Sequence, residues 1–266
     1  MRSILNFFKK IYRYKSMIWA MSIREVQSRY IGTVGGMLWS IVNPLMMILV
    51  YWFVFSVGFK VQPAGGIPFI VVFLCGTIPW SMFAEALTTS AGSIRANAHL
   101  VTKTVFPTEI LPIVSITASL ITHFIMLVIL IIVMIFNKIP FSFYNLQFIY
   151  YLFALVIFSL GLGWFLSAIN VFYKDVGQTL GVVLNIWFWF TPIVWLPDMI
   201  PSKYQYILKL NPMFYIVDGY KSSFIYHSPV WHNPVGCVYF WVVSLAVFII
   251  GAVTFKKLKS EFAEVL

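Results

Sequence analysis

Six stretches of this 266-residue chain stay apolar for long enough to cross a lipid bilayer, and nothing else in the sequence limits its fold as strongly. They run over 37–59, 67–90, 110–136, 148–171, 179–196 and 235–255. Crossing the hydrocarbon takes about 20 apolar residues in a helix. Barrel strands would alternate in polarity and be about half as long, so these continuous runs predict helices. The chain is 61% apolar and 10% charged, where a soluble domain carries about 25% charge. The fold expected is an all-α integral membrane protein with six transmembrane helices.

Lys and Arg set the orientation. Thirteen of them fall in 1–36, in the 91–108 loop, in the 172–178 turn and after residue 255. The other five are Lys60, Lys138, Lys203, Lys209 and Lys221. An excess of basic residues marks the cytoplasmic side, so both termini are expected there. The +10 net charge is thereby read as topology, and no nucleic-acid partner is expected. Charge scattered through the first 20 residues argues against a cleavable signal. Three parts follow: a cytoplasmic segment 1–36, a transmembrane domain 37–255 with an external loop 197–234, and a cytoplasmic tail 256–266.

Within the first 20 residues Ile4, Phe7, Phe8, Ile11, Tyr12, Ile18 and Trp19 recur at helical spacing, with Asn6, Lys9, Lys10 and Arg13 opposite. This pattern predicts an amphipathic helix lying in the membrane interface, or one packed on neighbouring helices. The loop 197–234 is aromatic and interrupted by Pro201, Pro212, Pro229 and Pro234. Its apolar pieces 204–210 and 213–226 are read as short re-entrant helices between spans five and six, or as an external loop. Re-entrant backbone survives only where protein or a wet cavity covers it.

Enzymatic constellations are missing from the sequence. The four histidines, His99, His123, His227 and His232, lack metal spacing, and no metal site is expected. Cys75 and Cys237 sit far apart in apolar runs and form no redox motif. The external face offers Asp198, Asp218, His227 and His232 to a membrane enzyme acting on lipid-linked sugars, a thin set. There is no G-x-x-x-x-G-K-[ST] phosphate loop, so energy for uphill transport comes from elsewhere. Glu85 and His123 are the only ionisable candidates well inside spans. Glu85 is read as structural or gating in preference to the proton relay of an ion-coupled carrier. The cytoplasmic loop 92–107 opens with a Ser at a possible helix start and ends before a proline. Ile94, Ala98 and Val101 would form the apolar face of a short helix, a docking element or a solvated connector.

The motifs together form a series. R-E-V-Q-S-R-Y-I-G-T-V-G-G-M-L-W-S-I-V-N-P-L (24–45), G-T-I-P-W-S-M-F (76–83) and S-I-R-A-N-A-H-L-V-T-K-T-V-F-P-T-E-I-L-P (93–112) come first. N-V-F-Y-K-D-V (170–176), W-F-W-F-T-P-I (187–193) and L-N-P-M (210–213) follow. In this order they resemble the membrane subunits of ABC type-2 exporters of O-antigen, teichoic-acid and related lipid-linked polysaccharides. Lys174 stands where an Arg is commoner. The resemblance implies a half-transporter: a homodimer lining one conduit above a dimer of ATP-hydrolysing subunits. ATP and Mg would be bound by that partner, and no cofactor by this chain. It further implies that 93–106 contacts the ATPase, with 24–30 beside it. Arg24, Arg29, Arg95, Asn97 and Lys103 become the coupling candidates, with Glu25 as an ion-pair partner, and Lys174 and Asp175 join Glu85 as gating or structural residues. A drug or lipid exporter of the same type is the rival reading.

Aromatic rings crowd the end of the fifth run at 186–197. Trp and Tyr anchor at membrane interfaces in any protein. Consecutive positions on a helix point about 100° apart, however, so Trp187, Phe188, Trp189 and Phe190 cannot all face lipid. Trp195 is expected to anchor, while one or two of Trp187, Trp189 and Phe190 face the substrate conduit. Pro192 is expected to break the helix and free a carbonyl for a sugar hydroxyl or water.

Overall fold

A computed structural model describes residues 9, 11–61, 66–103 and 106–266. Residues 4, 6, 7, 8 and 10 of the N-terminal pattern lie outside the described residues, as do 104–105 of the loop 92–107. Among the described residues all regular structure is helical and no strand occurs. Five helical stretches are long and apolar enough to cross a membrane: Gly36–Gly58, Phe69–Ala96, Thr108–Phe136, Phe143–Phe172 and Pro234–Val265.

Helix α1 (Lys15–Ser28) lies along the foot of the later helix α5 (Leu111–Phe136). Ile18 is buried against Ile110 and Val114, and Ser22 Oγ reaches the Val114 carbonyl at 3.0 Å. Of the predicted apolar face, Tyr12 and Trp19 stay exposed. The first spanning stretch contains α2 (Trp39–Trp52) and ends in a π-helical turn at Phe53–Gly58. It is largely exposed, and its inner edge stacks Tyr51 on Phe73 and Phe55 on Phe69, with ring centroids 4.7 and 5.1 Å apart.

The centre of the bundle is α3 (Phe69–Ala96), 28 residues or about 42 Å long. Pro79 sits inside it, tolerated because neighbouring helices enclose the turn. Packing on α3 are α5, α6 (Phe148–Phe172) and α9 (Pro212–Lys221). Beyond α3 comes the short α4 (Ala98–Lys103). The expected helix start at Ser93 is corrected: Ser93 is buried inside α3, donating to the Ser90 carbonyl at 2.8 Å. The break comes at Asn97, whose φ of −113° leaves the helical range and whose Nδ2 caps the Ser93 carbonyl at 2.9 Å.

The last long helix, α10 (Pro234–Leu258), crosses α6 closely. A Cβ on Gly161 would stand 2.6 Å from Phe248 Cα, and one on Gly251 would strike the Gly161 carbonyl. Within lipid there is no hydrophobic gain from pairing helices, so this close approach and its dispersion contacts hold the pair. Beyond α10 the chain turns back through Lys259–Glu261 into α11 (Phe262–Val265), where Phe262 is wholly buried. That burial does remove apolar area from water, worth about 1.5–3 kcal/mol.

The fifth apolar run departs from its expected form. Its helix, α7 (Asp175–Phe190), starts earlier than 179 and stops six residues short of 196. Sixteen residues give about 24 Å, less than the roughly 30 Å of hydrocarbon. Pro192 has no N–H to continue the ladder, and residues 191–195 leave the helix as a bent segment. Loop 197–234 contains α8 (Gln205–Lys209) and α9. Met213, Ile216, Val217 and Tyr220 of α9 are buried, and the Tyr220 hydroxyl meets His123 Nε2 at 3.0 Å.

Candidate functional site

Two places in the bundle collect the polar and aromatic side chains that the sequence marks out. The first is a cavity of about 710 Å3 between α1, the last turns of α3, α4 and the start of α5. Arg24, Glu25, Arg29, Thr89, Ser93 and Asn97 are among its lining residues. Arg29 follows α1 and pairs with Glu85 of α3. Thr122 Oγ1 of α5 donates to the same carboxylate at 3.4 Å. One turn below, Glu25 lies 3.8 Å from the Arg29 guanidinium and accepts from Ser115 Oγ at 3.3 Å. Burial raises the Glu25 carboxyl above its ordinary 4.5, against the opposing pull of Arg29 and Ser115. One guanidinium thus joins two carboxylates and three helical segments.

The coupling candidates separate in space. Arg24, Glu25, Arg29 and Asn97 share the cavity, and Glu85 is tied to it through Arg29. Arg95, half-buried on the last turn of α3, and Lys103, exposed on α4, do not line it. Both basic groups sit in the last turn of their helices, the end a cation favours. Lys174 and Asp175 are exposed at the α6–α7 turn. Their neighbour Asn170 is buried, and its Nδ2 donates to the Ala91 carbonyl at 2.7 Å, fastening α6 to α3.

The second place is the C-terminal end of α7. Thr191 N–H donates to the Phe188 carbonyl at 3.1 Å and Thr191 Oγ1 to the Trp187 carbonyl at 2.9 Å. Lys221, only 4% exposed, donates its ammonium to the Pro192 carbonyl at 2.7 Å. The expectation of a carbonyl left open for a sugar is therefore corrected: protein donors occupy these acceptors. Asn211 completes the closure. Its Oδ1 accepts from Trp187 Nε1 at 2.7 Å and Met213 N–H at 3.0 Å, and its Nδ2 donates to Thr191 Oγ1 at 2.9 Å. Ile193 then lies against Gly76, where a Cβ would come within 3.2 Å of the Ile193 Cα. The motifs at 76–83, 187–193 and 210–213, distant in sequence, meet here.

The rings divide accordingly. Trp187 packs edge-on against Trp80 and Phe83, at 6.3 and 5.2 Å, so most of it is core. With Phe190, Leu208 and Pro212 it also lines a recess of about 280 Å3. Trp189 and Phe190 are exposed. Trp195 is half-buried and donates its indole N–H to the Trp189 carbonyl at 3.0 Å. Pro192 is buried. Sequence reading missed Asn211, Lys221, Ser115 and Thr122. A single lysine following the largely apolar run 213–220 is the one sequence signal that could have found Lys221. Among the described residues no three His, Cys, Asp or Glu side chains converge on a metal-sized site.

Comparison with known proteins gives the family. Residues 16–225 match the model of the ABC-2 type transporter family. An O-antigen export system permease protein RfbA of Klebsiella pneumoniae is 31% identical over 250 residues, 91% of this chain and 92% of that protein. The RfbA of Myxococcus xanthus is 27% identical over 98% of this chain and 99% of its own length. The polysialic acid transport protein KpsM of Escherichia coli is 25% identical over 77% of this chain and 79% of its own. The family match covers most of the length and accords with five helices long and apolar enough to cross a membrane, and the chain belongs to the ABC-2 type transporter family.

Proposed function

We propose that this chain is the permease subunit of an ATP-driven polysaccharide exporter, the polymer being carried on a lipid such as that of O-antigen. The observation that carries the reading is similarity to O-antigen export permeases along nearly the full length of both chains. Two copies would form one conduit in the inner membrane, above two copies of an ATPase that binds ATP and Mg. Six crossings are proposed, the fifth made of α7 continued by the bent segment 191–196. The α8–α9 region is taken as re-entrant, which the protein cover on α9 supports. Both termini are placed in the cytoplasm, α1 in its interface, on the basic excess there.

In the mechanism we favour, closure of the ATPase pair pushes on 93–106. α3 receives the push at Asn97 and carries it along its length. The Arg29–Glu85–Thr122 junction makes α1 and α5 move with it. At the far end Trp80 and Phe83 of α3 touch Trp187, and Gly76 touches Ile193, so displacement of α3 disturbs the closure at 191–195. Exposed Trp189 and Phe190 and the Trp187 recess offer apolar faces to sugar rings, contact without directional bonds, which suits a sliding polymer.

The test is charge reversal, Arg95→Glu with Lys103→Glu, in the complex with its ATPase. Retained assembly with ATP hydrolysis no longer linked to export is expected. Unchanged export and unchanged ATPase binding would refute the placement of the coupling surface.

A further inference from the structure

We propose that the C-terminal hook, residues 259–266, is a second arm of the lever, with Phe262 and Lys259 as positioning residues that tie α4 to the α6–α10 pair. The inference rests on the reading of 93–106 as the segment the ATPase moves. A tail bearing Lys256, Lys257 and Lys259 after the last span is the composition of a solvated end. The chain instead folds back under the bundle. Phe262 is completely buried, its ring 5.5 Å from Phe255 of α10 and 6.2 Å from Phe172 of α6. α11 packs directly on α4, and Leu266 rests on the same core as Val101 and Phe106.

A second contact grips the other end of the connection. Lys259 Nζ pairs with Glu109 Oε2 at 2.5 Å, in the 3-10 turn Thr108–Ile110 that leads into α5. The Glu109 carbonyl in turn accepts from Trp164 Nε1 of α6 at 3.1 Å. The hook therefore brackets 98–110: α11 supports α4, and Lys259 holds the turn beyond it. The close Gly161–Gly251 crossing makes α6 and α10 a stiff pair, so a push on α4 reaches them through the hook as well as α3. Without it, α4 would swing about Asn97 and deliver its displacement to α3 alone.

The experiment uses the full chain with its ATPase in proteoliposomes, measuring polymer exported per ATP hydrolysed. Lys259→Glu and Glu109→Lys are each expected to lower that ratio about two- to thirtyfold, the span that substitutions in coupled networks produce. Both together restore it, and ATPase binding stays unchanged throughout. Phe262→Ala lowers the ratio and Phe262→Leu recovers most of it. A wild-type ratio in Lys259→Glu, or no recovery in the double reversal, overturns the proposal. Should Phe262→Ala fail to assemble, the charge pair decides alone, since both partners are partly exposed. Arg95→Glu with Lys103→Glu is the control. If it uncouples while the hook variants do not, the hook alone is wrong; if it too leaves export normal, the coupling segment was misplaced.

Discussion

The Arg29 junction makes an asymmetric prediction. Arg29 and Glu85 are 24% and 22% exposed, between the surface pairs worth about 0.2–1 kcal/mol and the buried pairs whose disruption costs about 3–5 kcal/mol. Glu85→Gln keeps an acceptor for Arg29 and Thr122, and Arg29 retains Glu25 3.8 Å away. Its expected cost is about 1 kcal/mol, that of a charge-assisted hydrogen bond weakened to a neutral one. Arg29→Met strips the guanidinium from between Glu25 and Glu85 and should cost about 2–3 kcal/mol. The double variant leaves one carboxylate and is expected to be more stable than Arg29→Met alone.

The pH dependence follows from Glu25. Burial already raises its carboxyl, and loss of Arg29 removes an opposing influence, so the folded state of Arg29→Met holds that proton more tightly than the unfolded state. Stability of this variant should therefore fall as pH rises from about 4.5 through the raised value, and return on acidification. Unfolding of the purified variants in lipid nanodiscs between pH 5 and pH 8 measures both effects. Equal losses for the two single variants, or a double variant additive within about 0.3–0.5 kcal/mol, would refute the shared-cation argument.

Two further predictions concern the other contacts. Lys221→Met keeps the side-chain length but leaves the Pro192 carbonyl without its donor, so the closure at 191–195 should loosen by about 1–3 kcal/mol; a thiol probe on Ile193→Cys should react faster in that background, and an unchanged rate would contradict the pin. Gly251→Val drives a branched side chain into the Gly161 carbonyl and should abolish stable assembly, read by size-exclusion of the solubilised protein; Gly251→Ala should be intermediate, and a Val variant as stable as wild type would mean α6 and α10 do not cross here.

Hydropathy made the long helices legible because it depends only on summed transfer energies, and five of the six runs became helices near the expected limits. The fifth did not: Pro192 within the run ends α7, but the donors that make the ending stable lie outside it, Asn211 20 residues beyond Thr191 and Lys221 29 beyond Pro192. Ser93 looked like a cap because Ser commonly begins helices; burial of Ile94 beside it carried α3 past. Arg24, Glu25, Arg29 and Asn97 were singled out through the order of motifs, but their common cavity depends on α1 folding against α5, held by Ser22 and Ile18. Tail residue Phe262 gave no hint at all. One aromatic among charges has no period, and only the turn at Lys259–Glu261 brings it to Phe172 and Phe255.

The central claim is that this chain opens a path but does not drive it. Reconstituting the purified protein in liposomes holding lipid-linked polysaccharide, with and without its ATPase, tests that most directly. Polymer should cross only when the ATPase, Mg and ATP are all present. Translocation by this chain alone, or ATP hydrolysis by the assembled complex with no polymer crossing, would contradict it.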